Sequence, residues 1–330
     1  MPAVISFLTC NGVKNMQNKP FNIPILFIIF RRWDTALKVL DSISKVKPAK
    51  LYISQDGPRN KEEATTVART MEKVLAKINW KCELTVWEHD KNLGLKKHIP
   101  EAFDKFFEKE ECGIYLEDDT VPSKEFFYFE EQLLRKYKND PKIFSINGTN
   151  FYPELIKSKD SYYLSKLGDI WGFGLWRRSW KLYKSDMGDF PLVSKTPDYK
   201  NFFFSFKYKY YLETFWEAII HGKLDSWAMQ LVYTALKNNM FFIAPSVNMV
   251  DNISKNSSGS NVSIQEYHKE FGNPFPLRHP KNLIYNKRYD LIYFANVLKG
   301  GWLRLVLIRL YLSLPANLKL EINKLTSKIY

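Results

Sequence analysis

Cysteine is scarce in this chain, and its apolar runs are short. The three cysteines, Cys10, Cys82 and Cys112, are scattered and form no C-x-x-C pair, a pattern that argues against a disulfide framework and against a zinc site. It fits a reducing, cytoplasmic setting best. The most apolar run, residues 23–30, is far shorter than the roughly 20 residues that cross a bilayer. We therefore predict no transmembrane helix.

The first twenty residues do not resemble a signal peptide. They lack the basic start and the small-residue cleavage site of a signal peptide. We expect residues 1–22 to form an extension ahead of the folded domain, with Met16 as an alternative start of the protein.

The charge of the chain favours an anionic partner. Its net charge is +14 over 330 residues, which suits nucleic acid, anionic lipid or a sugar nucleotide. The charge is spread along the chain and no nucleic-acid-binding module is recognisable, so we predict no nucleic-acid partner. A basic surface without a specific partner is the alternative. The aromatic fraction of 16% suits carbohydrate stacking as well as core packing.

Strands and helices alternate in the first half of the sequence. Apolar runs predict strands at 23–30, 50–54, 82–88 and 113–116, and helical spacing predicts helices at 33–46, 61–78 and through 99–106. This alternation is typical of an α/β fold with a largely parallel sheet. Each predicted strand ends in a polar or glycine-containing segment, so the strand ends can line one cleft.

The second half is less regular. Helices are predicted at 126–137, 212–221 and 226–236, and strands at 143–146 and 241–250, the latter interrupted by Pro245. Residues 255–263 are rich in serine, asparagine and glycine, which predicts a loop.

Three consecutive acids follow the predicted strand 113–116. Glu117, Asp118 and Asp119 precede Pro122 and Ser123, which indicate a loop and the start of a helix. Ligands of open α/β sheets bind at the carboxyl ends of strands, and buried carboxylates need a partner because unpaired charge is costly there. Mg²⁺ or Mn²⁺ suits such an oxygen-rich site and would hold a diphosphate. A solvated turn or a helix cap is the alternative.

Nine short segments follow one another in a familiar order along the chain. They are 24–35, 56–59, 92–94, 116–123, 145–150, 171–180, 225–230, 245–253 and 276–280. Together they resemble inverting glycosyltransferases of the GT-A fold, in the bacterial group related to N-acetylglucosaminyltransferase I and glycosyltransferase family 2.

The resemblance implies a fold and a domain organisation. The fold would be a Rossmann-like α/β fold whose mixed, mostly parallel sheet is flanked by helices, with a C-terminal helical tail. The glycosyltransferase domain would span 23–290, with a nucleotide-binding half at 23–123 and an acceptor half at 124–290. The tail would span 291–330.

The resemblance also assigns residues to the nucleotide and the metal. Arg31 and Asp56, at the ends of the first two strands, would hold the base and ribose, and the turn from Asn92 to Gly94 would approach the nucleotide closely. Within the acids, Asp119 would bind Mn²⁺ or Mg²⁺ directly, with Asp118 and Glu117 in supporting contacts to the metal and ribose. The metal would neutralise the leaving diphosphate.

A further group of residues is implied to lie near the donor sugar. Asn147 and Gly148 match a segment that lies there in the resembling enzymes. Trp171 could stack on a sugar ring, and Gly172 would let the ligand lie against the backbone. Ordinary core packing is the alternative for the tryptophan.

Inversion requires a general base that takes the proton of the acceptor hydroxyl. Asp225 is the candidate, because it precedes a predicted helix beside Trp227, where relatives have a similar acid-plus-tryptophan motif. A plain helix cap is the alternative for Asp225. The match has a flaw, since relatives carry two consecutive acids and this chain has Ser226 at the second position. Glu217 is the reserve candidate.

The segment after Asn252 also departs from the resemblance. Relatives have a Gly-Phe pair and then a histidine that serves the metal or the diphosphate, whereas this chain continues with Ser254 and Lys255. His268 or His279 could substitute, and Lys255 could meet the phosphates by charge. We therefore expect a metal site that is weaker than in relatives or differently organised.

A basic, leucine-rich tail closes the sequence. Residues 302–314 start with Trp302 and contain Arg304 and Arg309 among leucine, isoleucine and valine, which suits a membrane interface. The arginines do not share one helical face, so a helix packed on the protein's own core is the alternative. Membrane contact would place the protein on the inner face of the cytoplasmic membrane.

The sequence thus predicts an inverting, metal-dependent glycosyltransferase. It would move a sugar from a nucleotide-diphosphate donor, UDP by resemblance, to a glycan or lipid-linked glycan in the synthesis of cell-envelope polysaccharide or lipopolysaccharide. One alternative is an inactive sugar-nucleotide-binding scaffold at the membrane. The other is a sugar nucleotidyltransferase, against which residues 30–34 lack the glycine-rich loop that grips a triphosphate.

Overall fold

Strands and helices alternate through the first half of the chain, as predicted. The computed structural model describes residues 21–156, 158–254, 270–297, 301–315 and 318–319. In the first half the elements are β1 (Ile25–Ile29), α1 (Trp33–Ser44), β2 (Lys50–Gln55), α2 (Lys61–Lys77), β3 (Glu83–Glu88), α3 (Leu95–Lys109), β4 (Cys112–Glu117), β5 (Thr120–Pro122) and α4 (Lys124–Lys136).

The second half adds four strands to the main sheet and one to a small sheet. Its elements are β6 (Ile143–Asn147), β7 (Tyr162–Ser165), β8 (Phe173–Trp176), α5 (Arg177–Trp180), α6 (Phe190–Val193), α7 (Pro197–Phe202), α8 (Phe206–Ile220), α9 (Met229–Lys237), β9 (Phe241–Pro245), β10 (Val250–Asn252), α10 (Lys287–Val297) and α11 (Trp302–Ser313).

The main sheet has eight strands in the order β3-β2-β1-β4-β8-β6-β9-β7. Six of them run in one direction, and only β7 and β8 run against it. Helices flank the sheet, so the predicted α/β class with a mostly parallel mixed sheet is confirmed, in an arrangement consistent with a Rossmann-like nucleotide-binding fold. The chain winds outward from β1 through β2 to β3 and then crosses to β4 on the other side of β1. Such a switch point is where ligands bind in open α/β sheets.

Both faces of the main sheet are covered. On β1, Phe27 packs in one cluster with Val39 of α1, whereas Leu26 packs in another with Phe103 of α3. A strand that is buried on both faces needs apolar residues at every position. This explains why the first strand is a continuous apolar run in the sequence.

The strand predicted over 241–250 is interrupted at Pro245, as expected, but the residues beyond Pro245 do not rejoin the main sheet. The chain forms β9 up to Pro245 and then leaves the main sheet, and β10 pairs antiparallel with β5, with Asn252 opposite Thr120. Proline lacks the N–H that would continue the ladder. The small β5–β10 sheet brings the residues after Asn252 against the three acids.

The helix α11 packs on α8. The ring of Trp302 lies 5.7 Å from that of Phe206, and Leu305 and Leu312 are buried. At its end, Lys223 Nζ donates a hydrogen bond to the carbonyl oxygen of Ser313 at 3.3 Å. The alternative of a tail packed on the protein's own core therefore holds for one face of this helix. No helix in the described ranges is both long and apolar enough to span a bilayer.

Several predictions fall on residues outside the described ranges. These are residues 1–20 with Cys10 and Met16, the loop 255–263 with Lys255, His268, the side chain of Arg304, and the end of the tail beyond residue 319. The proposed division into a domain at 23–290 and a tail at 291–330 stays a prediction.

Candidate functional site

The three acids lie at the carboxyl end of β4, next to the end of β1. We call residues 117–119 the acid segment. Glu117 ends β4, and its N–H donates to Thr120 Oγ1 at 2.9 Å, which closes a tight turn into β5. The acid segment is held from the other side too, because the N–H of Ile253 donates to the Asp119 carbonyl oxygen at 2.8 Å. The carboxylates are thus fixed at the switch point of the sheet.

Arg32 is the principal partner of both aspartates. Asp118 and Asp119 are 4% and 8% exposed. Arg32 Nη2 donates to Asp118 Oδ1 and to Asp119 Oδ2, the latter at 2.8 Å. Asp118 Oδ2 also accepts the N–H of Phe30 at 3.3 Å. Arg32 Nη1 reaches Ser254 Oγ at 3.2 Å, so one guanidinium joins the ends of β1, β4 and β10.

Burial governs the ionisation of this cluster. It raises the pKa of Glu117 to about 8, with the charge of Asp119 adding to the effect. It also raises the pKa of Asp118 to about 6, although Arg32 opposes that rise. For Arg32, burial lowers the pKa, but the attraction of Asp118 and Asp119 outweighs it and the net pKa is raised. The acid segment therefore needs its cation.

An ion placed between Asp118 and Asp119 does not fit these residues as they are arranged. An ion bridging Asp118 and Asp119 would need the point that Arg32 Nη2 occupies, where it bonds to one oxygen of each carboxylate. Within the described ranges no group of three or more His, Cys, Asp or Glu side chains could hold a metal ion. His279 is engaged with Tyr162 Oη at 2.8 Å. The metal stays a prediction from the sequence.

Asp56 shapes the turn that follows β3. Its carboxylate accepts four hydrogen bonds, from the N–H groups of Gly57, Leu93 and Gly94 and from Asn92 Nδ2, at 2.8–3.0 Å. A carboxylate has about four acceptor positions, so these bonds use its capacity. Gly94 has φ +76°, a conformation that favours glycine. Asp56, Asn92 and Gly94 therefore lie together, with Asp56 holding the turn.

Arg31 belongs to a second charged cluster at the same edge. Arg31 Nη1 lies 2.9 Å from Glu63 Oε1, and Arg59 bonds to the same carboxylate. The hydrogen bond from Arg59 lowers the pKa of Glu63 to about 2 despite its burial. Two guanidinium groups share one carboxylate, so this cluster carries a formal charge of about +1.

Asp225 lies in an exposed loop beside the turn at Gly94. Asp225 Oδ2 is 3.4 Å from the position that a Cβ at Gly94 would take. Trp227 anchors this loop, since it is buried and its ring lies 5.4 Å from that of Tyr115 on β4. The alternative of a helix cap does not hold, because α9 begins at Met229 with Ala228 as its N-cap.

Glu217, the reserve candidate, lies elsewhere in a different partnership. It is on α8, and Glu217 Oε2 pairs with Arg309 Nη2 of α11 at 2.5 Å. Its carboxylate therefore joins the last long helix to α8.

The residues expected near the donor sugar form one group on the other side of β4. Asn147 Nδ2 donates to the carbonyl oxygen of Leu167 at 3.1 Å, and the Gly148 N–H donates to the Gly172 carbonyl oxygen at 3.0 Å. Gly172 has φ +76°, and a Cβ there would lie 3.3 Å from Leu116. The Trp171 ring packs at 5.2 Å, edge to face, with Phe151.

Three polar residues were not predicted as site residues from the sequence. Arg32 and Ser254 lie at the acid segment, and Asp169 lies beside Trp171. Asp169 accepts the N–H of Trp171 at 3.0 Å and bonds to the hydroxyl of Thr149, and burial raises its pKa. Its position after Gly168 is a weak signal. Arg32 had no signal that set it apart from Arg31.

A separate cavity lies away from these residues. It has a volume of about 490 Å³ and is lined by residues that include Glu154, Ser161 and Arg278. None of the predicted site residues lines this cavity. The candidate site therefore consists of Arg32 with the acid segment and the turn at Gly94.

Comparisons with known proteins leave the family open. The chain matches no protein-family profile. No similar sequence is found among curated proteins. One solved structure with a partial likeness is 4-diphosphocytidyl-2C-methyl-D-erythritol synthase from Anaerococcus prevotii DSM 20548, at 11% identity and a TM-score of 0.29, covering 55% of this chain and 83% of that one. A likeness this distant carries no argument about function.

Proposed function

We propose that the protein is an inverting glycosyltransferase that takes a sugar from a nucleotide-diphosphate donor. The observation that supports this most is the position of Asp225. An exposed carboxylate, more than 100 residues along the chain from the acid segment, lies 3.4 Å from the Cβ position of Gly94 in the turn held by Asp56. The turn that we propose for the nucleotide and the carboxylate that we propose as the base therefore lie at one edge of the sheet.

The proposed reaction needs a general base and a positively charged site for the diphosphate. Asp225 would take the proton of the acceptor hydroxyl as its oxygen attacks the anomeric carbon. The bond from that carbon to the phosphate oxygen breaks, and the nucleoside diphosphate leaves with the electron pair. Attack from the opposite face inverts the anomeric configuration. Glu217 is a poorer base, because it is paired with Arg309.

The nucleotide would lie along the ends of β1, β2 and β4. The turn from Asn92 to Gly94 leads directly into α3, whose first turn holds no acid and carries Lys96 and Lys97. A helix N-terminus favours anions. Together with the cluster of Arg31, Arg59 and Glu63, the N-terminus of α3 makes this edge of the sheet suitable for a diphosphate. UDP is the proposed nucleotide on the basis of the resemblance alone.

The nucleotidyltransferase alternative is less well supported. Only Phe30, Arg31 and Arg32 connect β1 to α1, and this connection has no glycine. A loop of that length has little backbone to wrap around a triphosphate. The scaffold alternative differs from the proposal only in lacking transfer, which an activity assay decides.

A transfer assay tests the proposal. UDP-sugars are offered with simple glycan acceptors, and release of UDP is followed for the wild type and for Asp225→Asn and Glu217→Gln. Asp225→Asn should reduce turnover about 100-fold or more while donor binding persists, and Glu217→Gln should stay close to the wild type. An active Asp225→Asn variant would remove the base assignment. Binding without any transfer by the wild type would favour the scaffold.

We also propose that the outer face of α11 contacts an anionic membrane that carries a lipid-linked acceptor. Leu303, Leu307 and Leu310 follow helical spacing and are 54–74% exposed. Trp302 marks one end of the helix, with Lys207 Nζ 6.0 Å from its ring. An apolar stripe with flanking cations is typical of helices that lie in a membrane interface.

A further inference from the structure

Arg32 occupies the place between Asp118 and Asp119. It follows β1 directly, and its carbonyl oxygen accepts the Ala36 N–H at 2.9 Å in the first turn of α1. Its backbone is therefore fixed by the helix it precedes. The side chain reaches across to β4, where a single nitrogen, Nη2, bonds to both carboxylates.

The charge of this group makes Arg32 hard to replace. Two aspartates that are 4% and 8% exposed would repel each other and would lose their hydration without a cation. The group of Asp118, Asp119 and Arg32 has a formal charge of about −1 when both acids are ionised. A divalent ion entering the same point would meet the guanidinium at contact distance, so an ion at this point and the arginine exclude each other.

Arg32 still has donors to offer a ligand. An arginine has five N–H groups, of which the described partners Asp118, Asp119 and Ser254 take three. The side chain is 40% exposed. The two remaining N–H groups, on Nε and Nη1, suit phosphate oxygens, which guanidinium binds well.

We propose that Arg32 takes the role of the divalent ion at this site, so that the protein binds the diphosphate of its donor without metal. The inference rests on the proposed function, because it specifies how the donor diphosphate is met. Arg32 holds the acid segment in place, reduces the charge of the carboxylate pair from about −2 to about −1, and keeps two N–H groups that can donate to phosphate oxygens. The Arg31 cluster and the start of α3 supply further positive potential.

Calorimetric titration of UDP, with Mn²⁺ and separately with EDTA, tests this. The wild type should bind UDP with dissociation constants that agree within about twofold in the two buffers. Arg32→Ala should bind about 10- to 100-fold more weakly in EDTA and should recover with Mn²⁺, because the vacated point can then take an ion. Arg135→Ala is the matched control, since Arg135 is an exposed arginine paired with Glu131 on α4.

Arg32→Lys guards against loss of folding in the alanine variant. Lysine keeps the charge but not the fork of donors, so this variant should bind weakly in EDTA without rescue by Mn²⁺. Electron paramagnetic resonance of Mn²⁺ without nucleotide gives a second readout. Free Mn²⁺ should persist with the wild type and decrease with Arg32→Ala.

The outcomes separate the two proposals. UDP binding that needs Mn²⁺ in the wild type and is unchanged in Arg32→Ala would overturn the role of Arg32 and leave the proposed function standing. If the wild type binds UDP, GDP and CMP in neither buffer, both proposals are wrong.

Discussion

One buried carboxyl group, that of Asp290, should contribute less to the stability of the protein at pH 8 than at pH 5. Asp290 is on α10 and is fully buried. Its Oδ1 accepts the hydroxyl of Ser165 at 2.5 Å, and its Oδ2 accepts the N–H of Lys166 at 2.9 Å. Burial raises its pKa from 3.8 to about 7, although these hydrogen bonds oppose the rise.

The sign of the effect follows from the raised pKa. The folded protein binds this proton more tightly than the unfolded chain, so the stabilisation is complete below pH 3.8 and is lost as the pH rises through about 7. Each pKa unit corresponds to about 1.4 kcal/mol, so the loss is on the order of 4 kcal/mol for a shift of roughly three units.

Asp290→Asn isolates this contribution. Asparagine can accept the Lys166 N–H and donate to Ser165, so it keeps the local geometry without a titrating group. Urea unfolding of both proteins at pH 5 and pH 8 gives the free energies of unfolding. The advantage of the variant over the wild type should grow between these pH values by roughly 2–4 kcal/mol. Parallel pH profiles of the two proteins would refute the reasoning.

Two further pairs of substitutions test the turn and the tail. Gly94→Ala should destabilise the protein by about 1–2 kcal/mol in urea unfolding, because φ is +76° at that position. Gly301→Ala is the control. It should be nearly neutral, since Gly301 has φ −63° and open space around it. Leu307→Glu should abolish sedimentation with anionic vesicles at unchanged stability, while Leu305→Ala should lower the stability by about 2–5 kcal/mol, as Leu305 is buried. Vesicle binding by Leu307→Glu equal to that of the wild type would contradict the membrane proposal.

The parallel half of the fold could be predicted because its signals are local. The run from Ile25 to Ile29 is apolar at every position, and α1 and α2 show clear helical spacing. By contrast, β8 is the four-residue run Phe-Gly-Leu-Trp at 173–176 with Gly174 inside it, a pattern that predicts neither strand nor helix. Its antiparallel place between β4 and β6 depends on partners that are distant in sequence.

The site was harder to predict for the same reason, because its contacts join residues that are distant in sequence. Asp56, Asn92 and Gly94 could be grouped from the sequence, but the number of hydrogen bonds that Asp56 accepts depends on the path of the turn. The choice between Arg31 and Arg32 depends on which side chain faces β4, and neighbouring residues at a strand end point in different directions. The start of α9 at Met229 also depends on the packing of Trp227 against Tyr115, which is distant in sequence.

The end of α11 and the loop that carries Asp225 are mechanically joined. Lys223, two residues before Asp225, bonds to Ser313, and its carbonyl oxygen accepts Lys319 Nζ at 3.4 Å. Deleting the tail would therefore remove two hydrogen bonds to the loop that carries Asp225 as well as the exposed leucines. If a truncated protein lost activity on a water-soluble acceptor, the loss would reflect greater mobility of this loop. Attachment to membranes is therefore better studied with point changes on the outer face of α11.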